Sequence, residues 1–177
     1  MKLVKGQQVP NFELVSLNGE TFSRDSMLGK RYMISFYRYA SCPFCNLRIS
    51  FLMGLHDELE LDNQMLGIFQ SDASDMNKHV AGQEPSFPLF SDYERTHYKM
   101  FGVDKSVWAY IKGALRLNTL LKAFRKGFFI KNAMGPKTTI PADFLVDEKG
   151  IIQYAYYGKD ITDHLDIDIV EVFLSAQ

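Results

Sequence analysis

Cys42 and Cys45, the only two cysteines of the chain, stand two residues apart in Tyr39-Ala-Ser-Cys-Pro-Phe-Cys-Asn-Leu-Arg48. A thiol reacts as its thiolate, and a cysteine in the first turn of a helix meets unpaired backbone N–H groups and the positive end of the helix dipole. Cys42 is placed to be such a nucleophile. Cys45, one turn on, is close enough to attack a mixed disulfide or a sulfenic acid on Cys42 and close a disulfide. Two other chemistries fit the residue types. A zinc site would need two more ligands, and His56, His79, His97 and His164 supply no His pair at finger spacing, so no metal site is expected. Two inert core thiols are the remaining alternative.

The pair must be held by a strand before it and a helix after it. Tyr32-Met-Ile-Ser-Phe36 is an apolar run suited to a central strand. Leu47, Phe51, Leu55 and Leu59 recur at helical spacing. Ser41 is the expected N-cap, and Pro43 fits the first turn, where its missing N–H costs nothing. Upstream, Phe12–Ser16 and Thr21–Ser23 flank Asn18-Gly19 as a hairpin. Downstream, the order strand (Gln64–Phe69), helix (through Val80), strand (Phe87–Phe90) and helix (Asp92 to about Met100) implies a parallel sheet with helices packed on it. A strand at Ala142–Val146, a turn at Asp147–Gly150, a strand at Ile151–Tyr156 and a helix from about Thr162 to Leu174 complete the pattern. Between about 104 and 136 the rhythm breaks. Trp108, Ile111 and Leu115 form one stripe, and Leu117, Leu120, Leu121, Phe124 and Phe128 form another, which reads as an inserted helix or helix pair.

The chain of 177 residues, 46% hydrophobic and 23% charged, suits one soluble α/β domain spanning 1–177 with that insertion included. The first residues do not read as a signal peptide, and no apolar run approaches the roughly 18 residues of a bilayer span, so the cytoplasm is the expected compartment. The net charge of −1 conceals an asymmetry: Lys105 to Lys137 carries eight Lys or Arg and no acid. Neither a nucleic acid nor a membrane is expected as a partner from the whole chain, because the imbalance is local.

Taken together, "GQQVPNFELVSLNGETFS", "GKRYMISFYRYASCPFCNLR", "MLGIFQSD", "FPLFSDYERTHYKMFGV" and "TTIPADFLVDEKGIIQYAYYG" resemble the thioredoxin-fold superfamily, and within it the peroxiredoxin-like alkyl hydroperoxide reductase C and thiol-specific antioxidant family. The resemblance implies a thioredoxin-like central sheet flanked by helices. It also implies a thiol-dependent antioxidant oxidoreductase in which Cys42 attacks a hydroperoxide and Cys45 resolves the sulfenic acid, reset by an external thiol such as thioredoxin or glutathione. No cofactor is implied, and a homodimer is compatible with the family.

Two family features are absent. The family pattern Pro-x-x-x-Thr/Ser-x-x-Cys is replaced, with Ser35 seven residues before Cys42 and Tyr39 three before. The later peroxide-binding arginine gives way to Thr138-Thr-Ile-Pro141. Tyr39 is therefore a candidate hydrogen-bond donor to substrate, and Arg38 could lend positive charge to it, with an exposed cation at a strand end as the expectation for Arg38. Ile140-Pro141 resembles the cis-proline of thioredoxins, whose neighbouring backbone pairs with a disulfide substrate. These features make a thioredoxin-like thiol-disulfide oxidoreductase an alternative within the enzyme class. A binding module using the basic insertion is the alternative outside it. Tyr37, Phe44 and Trp108 could border a groove, with core packing the expectation for Phe44.

Overall fold

The structure, a computed structural model, describes residues 1–128 and 137–176. The end of the expected insertion, 129–136, lies outside them. The first two strands, β1 (Glu13–Val15) and β2 (Thr21–Ser23), form the expected hairpin with Leu14 opposite Phe22. Its connection uses Gly19 at φ +85°, a backbone conformation that suits glycine.

The main sheet has five strands: β3 (Tyr32–Phe36), β4 (Met65–Phe69), β5 (Leu89–Ser91), β6 (Ala142–Val146) and β7 (Ile152–Tyr157). Their spatial order is β5-β4-β3-β6-β7. The parallel expectation holds for β3, β4 and β5, but β6 runs antiparallel to β3, and β7 antiparallel to β6. The tight turn at Asp147–Gly150 accounts for the β6–β7 pair, since only an antiparallel partner can follow so short a connection.

Every residue of β3 is buried, since both faces of the sheet are covered. One face carries Met33, Tyr37, Leu145 and both cysteines under α1 (Pro43–Glu58), α2 (Ala73–His79) and α6 (Ile167–Ser175). The other carries Ile34, Phe36, Leu66, Ile68 and Phe144 with the hairpin and α3 (Thr96–Met100). Its centre is aromatic: Phe36 lies 4.9 Å from Tyr98 and 5.0 Å from Phe101, and Phe101 lies 5.2 Å from Phe144, centroid to centroid.

Local chemistry moves several boundaries. Helix α3 begins at Thr96 rather than Asp92, because Asp92 turns its carboxylate onto the N–H groups of Thr96, His97 and Tyr98 and so caps the helix from outside. Helix α6 begins at Ile167 rather than Thr162, because Asp160 and Asp143 hold the preceding residues in a loop by accepting from Thr162 N and Leu165 N. On α1 the buried face runs through Cys45, Ile49, Leu52 and Leu55, while Phe51 points outward, half exposed.

The insertion is a helix pair, α4 (Val107–Ala114) and α5 (Leu117–Arg125). Ser106 caps α4 by accepting from Ala109 N at 3.2 Å. Gly113 lets α4 approach the loop before α6, since a Cβ there would meet Ile161 Cγ1 at 2.3 Å and Ile161 N at 3.0 Å. Arg116 then pairs with Asp160 at 2.7 Å, and Lys126 reaches Ser50 Oγ on α1 at 3.0 Å.

Candidate active site

The site lies where β3 ends and α1 begins. Continuing from Phe36, the chain passes through Tyr37, whose carbonyl accepts the Tyr98 hydroxyl, and on to Cys42. The connecting loop is pinned at several points. Ala40 N donates to Ser71 Oγ at 2.9 Å, and Asn46 Nδ2 donates to the carbonyls of Ala40 at 2.7 Å and Cys42 at 2.9 Å. Gln83 Nε2 in turn donates to Asn46 Oδ1, and Ser71 Oγ donates to Asp75 at 3.0 Å. Each bond replaces water for a buried polar group and leaves the loop one conformation.

Cys42, not Ser41, is the N-cap of α1: its Sγ accepts from Cys45 N at 3.4 Å, and Pro43 occupies the first helical position. The sulfur itself therefore takes the hydrogen bond usually accepted by a capping oxygen. Both thiols are free and buried, Cys42 at 0% exposure and Cys45 at 1%. Burial pushes the Cys42 thiol up. The hydrogen bond from the Cys45 thiol, the Arg38 charge and the N–H groups of Cys45 and Phe44 outweigh it and bring Cys42 down to about 6. Cys45 moves well above the ordinary thiol range, first through burial and then through its hydrogen bond to Cys42. The pair is thus divided into one ionised sulfur and one protonated sulfur.

Arg38 departs from the expectation of an exposed strand-end cation. It is 1% exposed, with Nη1 3.5 Å from Cys42 Sγ and Nη2 donating to the Lys137 carbonyl at 2.6 Å. Its guanidinium lies 5.0 Å from the centroid of the Tyr39 ring and 5.7 Å from that of Tyr110 on α4. Burying a guanidinium is costly unless it is paired, and here the thiolate, a carbonyl and two aromatic faces supply the pairing. No local pattern in the sequence marks it, because its burial depends on α4 and on residue 137, about seventy and a hundred positions away. Asn46, directly after Cys45, was also missed as part of the site.

Tyr39 is buried beside this group, but its contact is the ring stacked on Arg38, and no hydrogen bond joins its hydroxyl to Cys42 among the described residues. Ile140 and Pro141 lead into β6, whose pairing with β3 ends at Ala142 opposite Phe36. The Ile140-Pro141 bond is trans, as are all peptide bonds among the described residues, which corrects the cis expectation. Ile140 N is bonded to the Asp104 carbonyl, and Pro141 sits just before the strand, where its missing N–H costs nothing. Phe44 is half-buried and, with Leu47, Arg48, Phe51, Arg116 and His164, lines a cleft of about 430 Å³ between α1, α5 and the loop before α6. Trp108 is 81% exposed. Among the described residues no three His, Cys, Asp or Glu side chains are grouped as metal ligands.

The model of the AhpC/TSA family matches residues 5–155. A protein of Mycobacterium tuberculosis named "Putative peroxiredoxin Rv2521" is 24% identical over 168 residues, covering 93% of this chain and 91% of its own. Among solved structures, peroxidoxin BcpB from Mycobacterium tuberculosis superposes with a TM-score of 0.67 at 18% identity, covering 98% of this chain and 97% of its own. The thioredoxin domain of a thiol-disulfide oxidoreductase from Bacteroides vulgatus superposes with a TM-score of 0.56 at 16% identity, over 98% and 99% of the two chains. The chain belongs to the AhpC/TSA family and is a peroxiredoxin-like oxidoreductase of thioredoxin fold, built around a Cys-x-x-Cys centre.

Proposed function

We propose that the protein reduces hydroperoxides through Cys42, with Cys45 as the resolving cysteine. The observation that carries this reading is the buried arrangement of Arg38, Cys42 and Cys45, which favours a thiolate at Cys42 and a protonated thiol at Cys45. The Cys42 thiolate attacks the distal oxygen of the hydroperoxide. The O–O bond breaks, Cys42 becomes a sulfenic acid, and the alkoxide or hydroxide leaves and takes a proton to become an alcohol or water. Cys45 then attacks the sulfenic sulfur, the disulfide forms, and water departs. Two electrons from an external thiol such as thioredoxin or glutathione restore the dithiol.

In this reading Arg38 takes the electrostatic role that the family gives to a later arginine. It stabilises the attacking thiolate, and its Nε, with Ser41 Oγ, is a buried polar atom with no partner among the described residues, available to a small oxygen-bearing substrate. The burial of both sulfurs favours small hydroperoxides over protein disulfides, which need a thiol accessible to a whole partner chain.

A thiol-disulfide oxidoreductase is the second reading, favoured by Tyr39 where the family places Thr or Ser. The Tyr39 ring packs on Arg38, so Tyr39 does not supply the short hydroxyl that the family places three residues before the attacking cysteine. Stopped-flow oxidation of the reduced protein by hydrogen peroxide, cumene hydroperoxide and a small disulfide separates the two. The peroxidase reading expects peroxide to consume the Cys42 thiolate far faster than it does free cysteine, with a disulfide as product, and a sulfenic acid that persists in Cys45→Ser. A reaction with peroxide no faster than that of free cysteine, together with a fast reaction with the disulfide, would establish the second reading.

A further inference from the structure

Helix α4 is amphipathic in the reverse sense. Its most buried residues are small, Ala109 at 6% exposure and Gly113, and Tyr110 turns toward Arg38, whereas its large aliphatic residues and Trp108 face solvent. Val107, Ile111 and Leu115, four residues apart, and Trp108 beside them occupy one stripe at 100° per residue. They are 62%, 46%, 74% and 81% exposed. Across the corner to α5 the exposed apolar residues continue with Leu117 and Leu121, at 65% and 53%. A helix held only by packing turns its large apolar residues inward. Outward presentation of six of them on consecutive elements marks a surface that meets something apolar.

The charges on the same helices identify the occupant. Lys112, Lys122 and Arg125 are exposed, and none is in an ion pair among the described residues. Among the described residues Arg116, between the two helices, is matched by a carboxylate, that of Asp160. From Lys105 to Lys137 the sequence holds no acid at all. A two-fold contact with a second copy would press these cations against their own images. A nucleic-acid backbone would satisfy the cations and leave the aliphatic stripe without a counterpart. An anionic bilayer surface satisfies both: the acyl boundary takes the aliphatic side chains, the headgroup phosphates take the lysines and arginine, and tryptophan favours the interface between them.

We infer that the α4–α5 helix pair is a docking face for an anionic phospholipid surface, on which the domain rests without spanning it. Such docking departs from the expectation of no membrane partner and takes up the binding role open to the basic insertion. It is compatible with the described residues, none of whose helices is long and apolar enough to cross a bilayer. The face also lies close to the thiol: on α4, Tyr110 turns toward Arg38, the residue that contacts Cys42.

Trp108 is the chain's single tryptophan and reports on the contact directly. The reduced full-length protein is titrated at low salt with vesicles of 70% phosphatidylcholine and 30% phosphatidylglycerol, and with vesicles of phosphatidylcholine alone. The inference expects co-sedimentation with the anionic vesicles, a blue shift of Trp108 emission, and quenching by brominated acyl chains. It expects weak binding to the neutral vesicles and at least a tenfold loss of binding to the anionic ones in 0.5 M salt. The double variant Lys112→Glu/Lys122→Glu should lose about thirtyfold or more in partitioning, at roughly fivefold per cation removed. Leu115→Glu should also weaken it, and all variants should keep the wild-type circular dichroism and the wild-type rate of Cys42 alkylation. Unchanged Trp108 emission with anionic vesicles would overturn the inference. So would a blue shift that grows with protein concentration in the absence of lipid, because the face would then belong to a second copy. Equal binding to both vesicle types would remove the charge argument on which the choice of occupant rests.

Discussion

The loop from Arg38 to Asn46 and the helix pair from Val107 to Arg125 invert the usual placement of polar and apolar groups, in opposite ways. The loop buries a guanidinium and a thiol that ionises; the helix pair exposes a tryptophan and five large aliphatic side chains. Each inversion has a cost, and the two are met differently. In the loop the cost is met inside the molecule, by Cys42, the Lys137 carbonyl, and the rings of Tyr39 and Tyr110 around Arg38. On the helix pair it is left open, and only an external partner can offset it. A buried charge paired within the molecule tunes chemistry, whereas an exposed apolar face that is not partnered points to association. The regions also differ in how they are anchored. The loop grows from the all-buried β3, while the insertion packs α5 along α1 with Ala123 buried and is tied by Gly113 on Ile161, Arg116 to Asp160 and Lys126 to Ser50.

Substitutions that act on one region and spare the other test this contrast. The largest effect is expected from Cys42→Ser, which removes the nucleophile and should abolish turnover with every oxidant while leaving vesicle binding intact. Residual thiol-dependent turnover above background would displace Cys42 from its role. Next comes Phe144→Ala, which empties the aromatic centre beneath β3 and should cost about 3–5 kcal/mol in urea unfolding. A loss below 1 kcal/mol would mean that the core does not hold the strands that carry the loop.

Arg38→Met should raise the Cys42 pKa and slow reaction at neutral pH by up to about a hundredfold, since the thiolate fraction falls about tenfold for each unit the pKa rises above the working pH. Alkylation of the wild type by iodoacetamide should titrate with a midpoint near 6, and that midpoint should move upward in Arg38→Met. The same lowering couples to stability. Because folding brings Cys42 from 9.0 to about 6, the unfolded chain holds the proton across that window. The reduced wild type should therefore show its full advantage over Cys42→Ser above about pH 9 and lose it as pH falls through about 6. A constant difference between the two proteins from pH 5 to 9 would contradict a lowered thiol.

Arg116→Ala leaves Asp160 Oδ2 buried without its cation and should cost about 1–3 kcal/mol, concentrated in the insertion. Hydrogen exchange should then speed up in α4 and α5 and stay unchanged in β3. The smallest effect is expected from Leu115→Ser, within about 0.5 kcal/mol of wild type, because the side chain is already in water. A large destabilisation there would show that the stripe packs against the protein itself.

Much of the scaffold is written in short-range signals. The hairpin around Asn18-Gly19, the β3 run, the helix after Cys45 and the turn at Asp147–Gly150 each follow from periodicity or turn chemistry that a few neighbouring residues carry. The Cys-x-x-Cys spacing places both sulfurs at one helix start for the same reason. Helix starts were less legible, since Asp92 caps from four residues before α3 and Asp160 holds a loop where a helix was expected. The Ile140-Pro141 isomer was not legible at all, because no local signal sets it apart from the trans default.

What the sequence determined by itself is therefore the identity and spacing of the two thiols, the elements that present them, and the charge imbalance of the insertion. Which thiol ionises, where Arg38 lies and which way Trp108 points were decided only by the tertiary structure. The physical reason is one of range. Strand and helix periodicity are properties of neighbouring residues, but a pKa and a burial are properties of whatever the fold brings within a few ångströms. Around Arg38, the neighbour of Cys42, that includes a backbone carbonyl from Lys137 and a ring from Tyr110, residues remote in the chain that only the fold brings together.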